Sequence, residues 1–305
     1  MTAASALDDL KRQRQEWGPW LAVVETVLRE TGAPVWDAAV PTVADPAAVT
    51  PDTAAAPHPP LPLLAGAAVA LSASVVRRFF ERLLGVASLG ERSKMQTVRG
   101  VLDADVDVLA LFTASLCQDG GPVHAAARAS GADVEALQAV TALLSVPFLH
   151  ACRRRFASSI RESWVQGYCP LCGAWPVFAE VRGIERSRVF RCGRCGGGWH
   201  ARALCCPYCD MADHDELVRL QPENGDVAGA SGAIDACSSC RGYVKTFTRL
   251  QGCDPGAVML EDLASVALDI AALDQGYSRP SGAGHVLDVR VSDNAATRLF
   301  FAWKS

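Results

Sequence analysis

The chain has 305 residues, of which half are apolar and a fifth are charged, and its formal net charge is -4. This composition is ordinary for a globular protein, and the negative balance excludes a general electrostatic attraction to nucleic acid or to an anionic membrane. Residues 151–205 depart from the average, because they hold ten arginines, no lysine and only three acidic residues.

The first 62 residues are predicted to form a helix and a linker. Residues 1–17 have two early aspartates and no apolar core, unlike a secretory signal peptide, so we expect a cytoplasmic protein. Residues 18–30 have the spacing of a short amphipathic helix. Its apolar face is made of Leu21, Val24, Val27 and Leu28. Residues 31–62 carry eight prolines, which prevent a continuous helix or strand and indicate a linker.

Helical spacing of apolar residues continues from residue 63 to 166 and predicts a domain of about four or five helices. We interpret residues 63–76 as a buried helix rather than a membrane span, which needs about 20 strongly apolar residues, and no membrane insertion is expected. Asp103 and Asp133 are candidate caps for later helices of this domain.

The pattern changes after residue 166, where glycine becomes frequent. Residues 175–183 and 187–193 have the texture of two strands that pair as an antiparallel hairpin. Residues 256–277 return to helical spacing. The predicted inner face of that helix contains Leu260, Leu263, Val266, Ala267 and Ile270. Residues 281–305 are interpreted as an added strand or a mobile tail.

Eight of the twelve cysteines form four C-x-x-C pairs. A C-x-x-C turn directs two thiolates to one side of a tight loop, so each pair can supply half of a tetrahedral metal site. Pairing in chain order predicts two four-cysteine sites. The first contains Cys169, Cys172, Cys192 and Cys195, and the second contains Cys206, Cys209, Cys237 and Cys240.

The residue after each pair supports the first site more clearly than the second. Gly173 and Gly196 occupy this position at the first site, where a metal-binding turn often needs a positive φ. At the second site Asp210 follows Cys209, and a glycine, Gly242, comes only two places after Cys240.

The other cysteines and the nearby histidines are not predicted to be ligands. Cys117 and Cys152 lie in helical patterns and are interpreted as core thiols, and Cys253 lies in a turn-like segment. Cys205 adjoins the predicted ligand Cys206, but adjacent side chains point in opposite directions, so Cys205 is interpreted as unliganded. His200 and His214 are interpreted as residues that pack beside the two sites.

Four thiolates fit zinc and iron equally well in geometry. Such a site is closed and offers no coordination position to a substrate, and the sequence contains no other catalytic constellation, so we predict a binding or assembly protein that is not an enzyme. A disulfide framework is typical of small secreted domains, and a thiol oxidoreductase usually carries one C-x-x-C at a helix start, so both fit four pairs less well.

The interleaved motifs resemble the formate dehydrogenase accessory protein family (FdhE). The resemblance covers roughly residues 60–280 and rests on the order of the four pairs together with CPLCG at 169–173, Pro176, Trp199-His200, CSSCRGYVK at 237–245, DLASVALDI at 262–270 and GYSRP at 276–280.

The resemblance implies an α+β protein, with an N-terminal all-helical domain followed by two tandem rubredoxin-like or zinc-ribbon four-cysteine modules and a C-terminal helix. It further implies a cytoplasmic accessory protein that is needed for active respiratory formate dehydrogenase and contacts the molybdenum-containing catalytic subunit. The eight paired cysteines would then be ligands of two mononuclear iron sites, with zinc as the alternative metal.

We expect six segments in the chain. These are a helix and linker over 1–62, a helical domain over 63–166, a first module over 167–204, a second module over 205–255, a C-terminal helix over 256–280 and a tail over 281–305.

A zinc-ribbon protein that binds nucleic acid is the alternative function, since the arginines of residues 151–205 could contact phosphates. The acidic whole chain argues against this function. The small number of aromatic residues that could stack on bases also argues against it. These residues are Trp175, Phe178, Phe190 and Trp199. No nucleic-acid partner is expected, because arginine is equally suited to binding carboxylates of a protein.

Overall fold

A computed structural model describes residues 3–42, 60–89, 93–221 and 232–294. The chain divides into two compact units. The cysteine unit consists of Phe156–His285 and the described parts of Met1–Leu10 and Asp45–Leu63. The helical unit consists of the described parts of Lys11–Ala44, Leu64–Arg155 and Val286–Ser305.

Nine α-helices lie in the described part of the chain before residue 157. They are α1 (Ala3–Gln13), α2 (Gly18–Glu30), α3 (Pro34–Asp37), α4 (Ala73–Ala87), α5 (Ser93–Thr97), α6 (Val108–Cys117), α7 (Gly121–Ser130), α8 (Val134–Thr141) and α9 (Val146–Phe156). The helix predicted over residues 18–30 corresponds to α2.

Six of these helices, α4 to α9, occupy the segment in which about four or five were expected. The extra breaks occur at residues that leave the helical conformation, since Gln118 ends α6 with a φ of 59° and Gly131 ends α7 with a φ of 71°. Asp133 caps α8 as predicted, by accepting a hydrogen bond from the amide of Ala136. The prediction for Asp103 is wrong, because α6 begins later and is capped by Asp107.

Four buried aromatic side chains form the centre of the helical unit. Trp36 stacks on Phe112 with ring centroids 6.1 Å apart and meets the edge of Phe79 at 5.8 Å, while Phe112 meets Phe148 at 5.7 Å. All four are less than 2 % exposed. Trp36 lies in α3, so part of the proline-rich segment is folded into this core rather than serving as a linker. Residues 43–59 of that segment lie outside the described residues.

The buried helix predicted over residues 63–76 is wrong. Residues 63–66 form a turn in which Gly66 has a φ of 71°, β1 (Ala68–Ala70) follows, and α4 begins only at Ala73. β1 pairs in parallel with β8 (Arg290–Ser292), which also realises the added strand expected as one alternative for the tail. The strand that pairs with β1 is remote in the sequence: just before β1, the Gly66 amide donates to the side chain of Asp288, which lies 222 residues further along. No pattern of neighbouring residues could therefore reveal this pairing. Residues 295–305 lie outside the described part.

One helical stretch of the described chain, Val134–Ser159, is long and apolar enough to cross a membrane by length and composition alone. Its most apolar window is 67 % buried inside the structure. Core helices of globular proteins pass the same test, and Leu137, Phe148 and Leu149 are all fully buried here.

The cysteine unit contains one six-stranded sheet with the order β4-β3-β2-β7-β6-β5. Its strands are β2 (Phe178–Arg182), β3 (Ser187–Arg191), β4 (Gly198–His200), β5 (Leu217–Leu220), β6 (Gly232–Cys237) and β7 (Tyr243–Arg249). The predicted hairpin is observed as the antiparallel pair β2–β3, with Phe178 opposite Arg191.

Each predicted module contributes three antiparallel strands, and the two sets join through the parallel pair β2–β7. The modules therefore share one sheet. The sequence gives no sign that β2 and β7 pair, because a parallel pair joins strands that are far apart along the chain.

The C-terminal helix predicted over residues 256–277 is divided into α10 (Val258–Ala264) and α11 (Val266–Asp274), with Ser265 between them in a non-helical conformation. These helices cover one face of the sheet, where Val258 and Leu268 pack with Phe178, Phe247 and other buried residues. The break changes the direction of the apolar face. Ile270, which was predicted to be buried, is 54 % exposed.

Candidate metal centres

The four C-x-x-C pairs adopt closely similar turns. In three of them the amide of the first cysteine donates to the carbonyl five residues later, and the amide four residues later donates back to the carbonyl of that cysteine; these turns start at Cys169, Cys192 and Cys206. The fourth turn has the first of these bonds, from the Cys237 amide to the Gly242 carbonyl at 2.9 Å. Such a turn leaves both thiols on one side of the backbone.

The residue after each pair has a positive φ, whatever its side chain. Gly173 and Gly196 have φ values of 69° and 70°, as the sequence predicted, while Asp210 and Arg241 have 59° and 58°. Aspartate enters this left-handed region more readily than most residues, but arginine does not. The two second-site turns were therefore harder to recognise, although their backbone is the same.

The first cluster brings together the four predicted cysteines of site one. The Sγ atoms of Cys169 and Cys195 are 3.7 Å apart, those of Cys172 and Cys192 are 3.6 Å apart, and all four lie within 4.8 Å of one another. A tetrahedron with zinc–sulfur bonds of about 2.3 Å has sulfur–sulfur edges of about 3.8 Å. The four sulfurs therefore fit a tetrahedral thiolate site, and each cysteine is at most 1 % exposed.

The second cluster has the same geometry but a different environment. Cys206 and Cys240 have their Sγ atoms 3.6 Å apart, and Cys209 and Cys237 have theirs 3.8 Å apart. Cys209 and Cys240 are exposed to solvent, whereas Cys206 and Cys237 are buried. Both clusters can hold a metal ion, but only the second includes cysteines that are exposed to solvent.

Burial disfavours the thiolate form of at least one cysteine in each metal-free cluster. It raises the pKa of Cys169 and of Cys206 well above the usual range of a thiol, because a charged sulfur loses its hydration inside the protein. Four thiolates at these distances would also repel one another. A cation at the centre of each cluster would remove both costs, so this donor set fits a metal.

A buried ion-pair group supports the first cluster and was not foreseen from the sequence. Glu180 in β2 is fully buried and contacts Arg182, Arg191 at 3.2 Å and Arg249 at 3.5 Å. Arg191 also donates to the carbonyl of Gly196, at 3.0 Å, in the second turn of the cluster. The only sequence signal was an acidic residue between the apolar residues Ala179 and Val181 of β2.

The charge of Glu180 is stabilised despite its burial. Burial alone would raise the pKa of Glu180, but the amide of Cys253 donates to its carboxylate at 2.9 Å, and this bond, together with Arg191 and Arg182, holds the pKa below its usual range. The Cys253 thiol beside it stays protonated, since burial raises its pKa to about 12.

The second cluster is held to the sheet and to the C-terminal segment by its own contacts. The Tyr208 hydroxyl donates to the Tyr243 carbonyl at 2.7 Å, and the Gly242 amide points at the Sγ of Cys240 at 3.4 Å. Arg241 donates to the Gln275 carbonyl at 2.7 Å and stacks over Tyr277 at 4.1 Å. These contacts hold the backbone of Arg241 in its left-handed conformation.

The remaining cysteines and the two histidines lie outside the clusters. Cys152 is fully buried in α9, and Cys117 ends α6. Cys205 is buried beside Cys206, with its Sγ 3.6 Å from the carbonyl of that residue. His200 and His214 are both exposed, and His214 lies with Asp213 and Asp215 in a surface group.

Fold and sites together define the class of this protein. It is an α+β protein in which a helical unit is combined with two tandem zinc-ribbon or rubredoxin-like modules, each of which brings four cysteines together.

Comparison with known proteins gives a more particular resemblance. No family model matches the chain. Curated relatives include the FdhE homolog of Pseudomonas aeruginosa, which is 29 % identical over 143 residues (46 % of this chain and 46 % of the relative), and that of Aquifex aeolicus, which is 30 % identical over 139 residues (43 % and 47 %). The matched segment thus spans about half the length of these relatives.

The fold agrees with the same group. The crystal structure of the FdhE protein from Pseudomonas aeruginosa matches with a TM-score of 0.54 and 20 % sequence identity, over 92 % of this chain and 93 % of that one. The resemblance to FdhE proteins that the cysteine motifs indicated is therefore confirmed.

Proposed function

We propose that this chain is a metal-binding accessory protein that is required for the formation of active respiratory formate dehydrogenase. It acts in the cytoplasm, without catalytic activity of its own, by binding the molybdenum-containing catalytic subunit. The observation that carries the proposal is the pair of four-cysteine clusters in a fold shared with FdhE.

The eight clustered cysteines are proposed as the ligands of two metal ions, one in each module over residues 167–204 and 205–255. Four protein sulfurs complete a tetrahedral coordination shell, so no position is left for a substrate or a water nucleophile. A role in holding a binding surface fits such sites better than hydrolysis. Iron is the proposed metal, and zinc is the alternative, because both accept four thiolates.

The arginine-rich segment supports a protein partner rather than nucleic acid. Five of its ten arginines are engaged in ion pairs within the described residues: Arg154, Arg182, Arg188, Arg191 and Arg202. Arginines that are held in ion pairs within the chain are less available to release counterions from a phosphate backbone, which is the main source of non-specific affinity for DNA.

The test is anaerobic purification of the full chain after co-expression with a tagged formate dehydrogenase catalytic subunit. We expect co-purification, together with about two metal ions per chain, one for each closed four-thiolate site, and visible thiolate-to-iron absorption that is lost on reduction. A double Cys172→Ala and Cys240→Ala variant should lose co-purification and most of its metal, while Cys152→Ala should keep both. Failure to co-purify, combined with salt-sensitive binding to random DNA, would favour the nucleic-acid function instead.

A further inference from the structure

A cavity of about 270 Å³ lies in the cysteine unit beside the second cluster. It is lined by residues of β2, β3, β5 and β6 and by the loop of residues 203–208, and Cys206 and Cys237 form part of its wall. Pockets for small ligands measure roughly 300–1,000 Å³. This cavity is therefore suited to one or two side chains rather than to a nucleotide or a large cofactor.

The lining combines apolar side chains with an excess of positive charge. Its charged residues, among those the structure describes, are Arg186, Arg188, Arg219 and a single acid, Asp235. The carboxylate of Asp235 lies 3.4 Å from Arg188 and 3.4 Å from Arg219, and it also accepts a hydrogen bond from Thr246 at 2.6 Å. One carboxylate is thus shared by two arginines, which leaves the cavity able to accept a second anion.

Arg188 is the best-placed group to bind that anion. Its side chain is only 12 % exposed, it donates to the Cys205 carbonyl at 3.0 Å, and its guanidinium lies over the ring of Phe190 at 4.9 Å. A fixed and largely buried cation attracts an anion more strongly than a mobile surface arginine does, because solvent screens its charge less.

The rim of the cavity carries an exposed apolar residue on a strained backbone. Leu204 is 73 % exposed and has a φ of 48°, and Arg186, also in the lining, has a φ of 54°. Left-handed conformations are costly for residues other than glycine and are retained most often at functional sites. Leu204, together with Val181 and Leu217 in the lining, offers apolar contacts next to the arginines.

We propose that this cavity binds a short segment of a client protein in which an acidic side chain is adjacent to an apolar one. The carboxylate pairs with Arg188 and Arg219, and the apolar side chain covers Leu204. A phosphate backbone fits less well, because the cavity is small and largely apolar and contains Asp235. The inference rests on the proposed function for the identity of the client, but not for the chemistry of the site.

The chemistry is tested with the metal-loaded full chain and two fluorescein-labelled peptides, Gly-Leu-Glu-Leu-Gly and its glutamine counterpart, by fluorescence anisotropy. We expect the glutamate peptide to bind about tenfold more tightly, since it adds one charged hydrogen bond. Arg219→Gln and Leu204→Glu should each remove this preference, while Arg128→Gln on α7 should leave it unchanged. Metal content and circular dichroism, measured for each variant, check that the fold is intact.

Equal binding of the two peptides, or a preference that survives both substitutions, would overturn the inference. So would tight binding of a single-stranded oligonucleotide that depends on Arg219 without any preference for the glutamate peptide.

The client is tested by photo-crosslinking, with benzoylphenylalanine placed at Leu204 and, as a control, at Leu102 in the helical unit. We expect crosslinks from position 204 to an acidic and apolar segment of the catalytic subunit. Co-purification with crosslinks from position 102 alone would overturn the cavity as the docking site while keeping the proposed function. A positive peptide result without co-purification would instead contradict the proposed function and support the cavity chemistry.

Discussion

Replacing Cys172 by alanine should remove the metal from the first cluster and unfold much of the cysteine unit. Cys172 is fully buried, and its Sγ is 3.6 Å from that of Cys192, so no water can readily take its place at the metal. Metal binding at a structural site supplies on the order of 10 kcal/mol of folding free energy, whereas whole domains are stable by only about 5–15 kcal/mol. Loss of that metal should therefore remove most of the free energy that stabilises the folded cysteine unit.

Cys240→Ala should have a smaller effect, because Cys240 is exposed and a water molecule can occupy the missing coordination position. For Cys172→Ala we expect about one metal ion per chain instead of two. The melting temperature of the cysteine unit should fall by roughly 20–40 °C, because each kcal/mol of lost stability lowers it by about 2–4 °C. Cys240→Ala should keep more metal and melt at an intermediate temperature.

The assay is elemental analysis of anaerobically purified protein, combined with thermal melting followed by circular dichroism. Cys205→Ala and Cys152→Ala are the matched controls, since both are buried cysteines outside the clusters and report the cost of losing a thiol alone. If Cys172→Ala retained wild-type metal content and melting behaviour, the assignment of Cys172 to the first site would be wrong. If Cys205→Ala lost metal, the exclusion of Cys205 from the second site would be wrong.

A chelator should remove the metal of the second cluster first, because Cys209 and Cys240 are exposed while the first cluster is enclosed, and a colorimetric reporter should show two separate phases of release. Gly173→Ala should abolish the first site, since its φ is 69° and an added Cβ would lie 2.3 Å from a backbone carbonyl oxygen. Glu180→Gln should lower the free energy of unfolding by about 3 kcal/mol in urea titrations, because it leaves buried arginines without their partner. The pKa of Glu180 is lower in the folded state than in the unfolded state. The ionised carboxylate therefore stabilises the fold above the unfolded pKa of about 4.3, and this stabilisation is lost as the pH falls through the folded pKa. Wild-type protein should accordingly lose more stability on acidification than Glu180→Gln.

Each of these predictions has a control in the same chain. Gly131→Ala shares the positive φ of 71° but places its Cβ in open space, so it should cost only about 1–2 kcal/mol and keep the metal. Glu135→Gln removes an exposed ion pair with Lys94 and should leave the free energy of unfolding almost unchanged, because solvent screens such a pair. A single phase of metal release would contradict the argument about the two clusters. Equal effects of the two glycine substitutions would contradict the argument about Gly173. Equal losses of stability on acidification for wild-type protein and Glu180→Gln would contradict the argument about the pKa of Glu180.

The sequence by itself determined the groups of residues that lie close together along the chain. The C-x-x-C spacing identified all eight clustered cysteines and their pairing, because each turn is a local structure of six residues whose hydrogen bonds do not depend on the rest of the fold. The hairpin β2–β3, helix α2 and the cap at Asp133 were predictable for the same reason.

Only the tertiary structure decided the features that depend on distant partners. Residues 63–70 form a turn and a strand instead of a helix because β8 pairs with β1 from the far end of the chain. The two modules share a sheet through β2 and β7, and Ser265 divides the last helix where it crosses that sheet. The difference in exposure between the two clusters, and the arginine-lined cavity beside the second, likewise follow from long-range packing, which spacing along the sequence cannot encode.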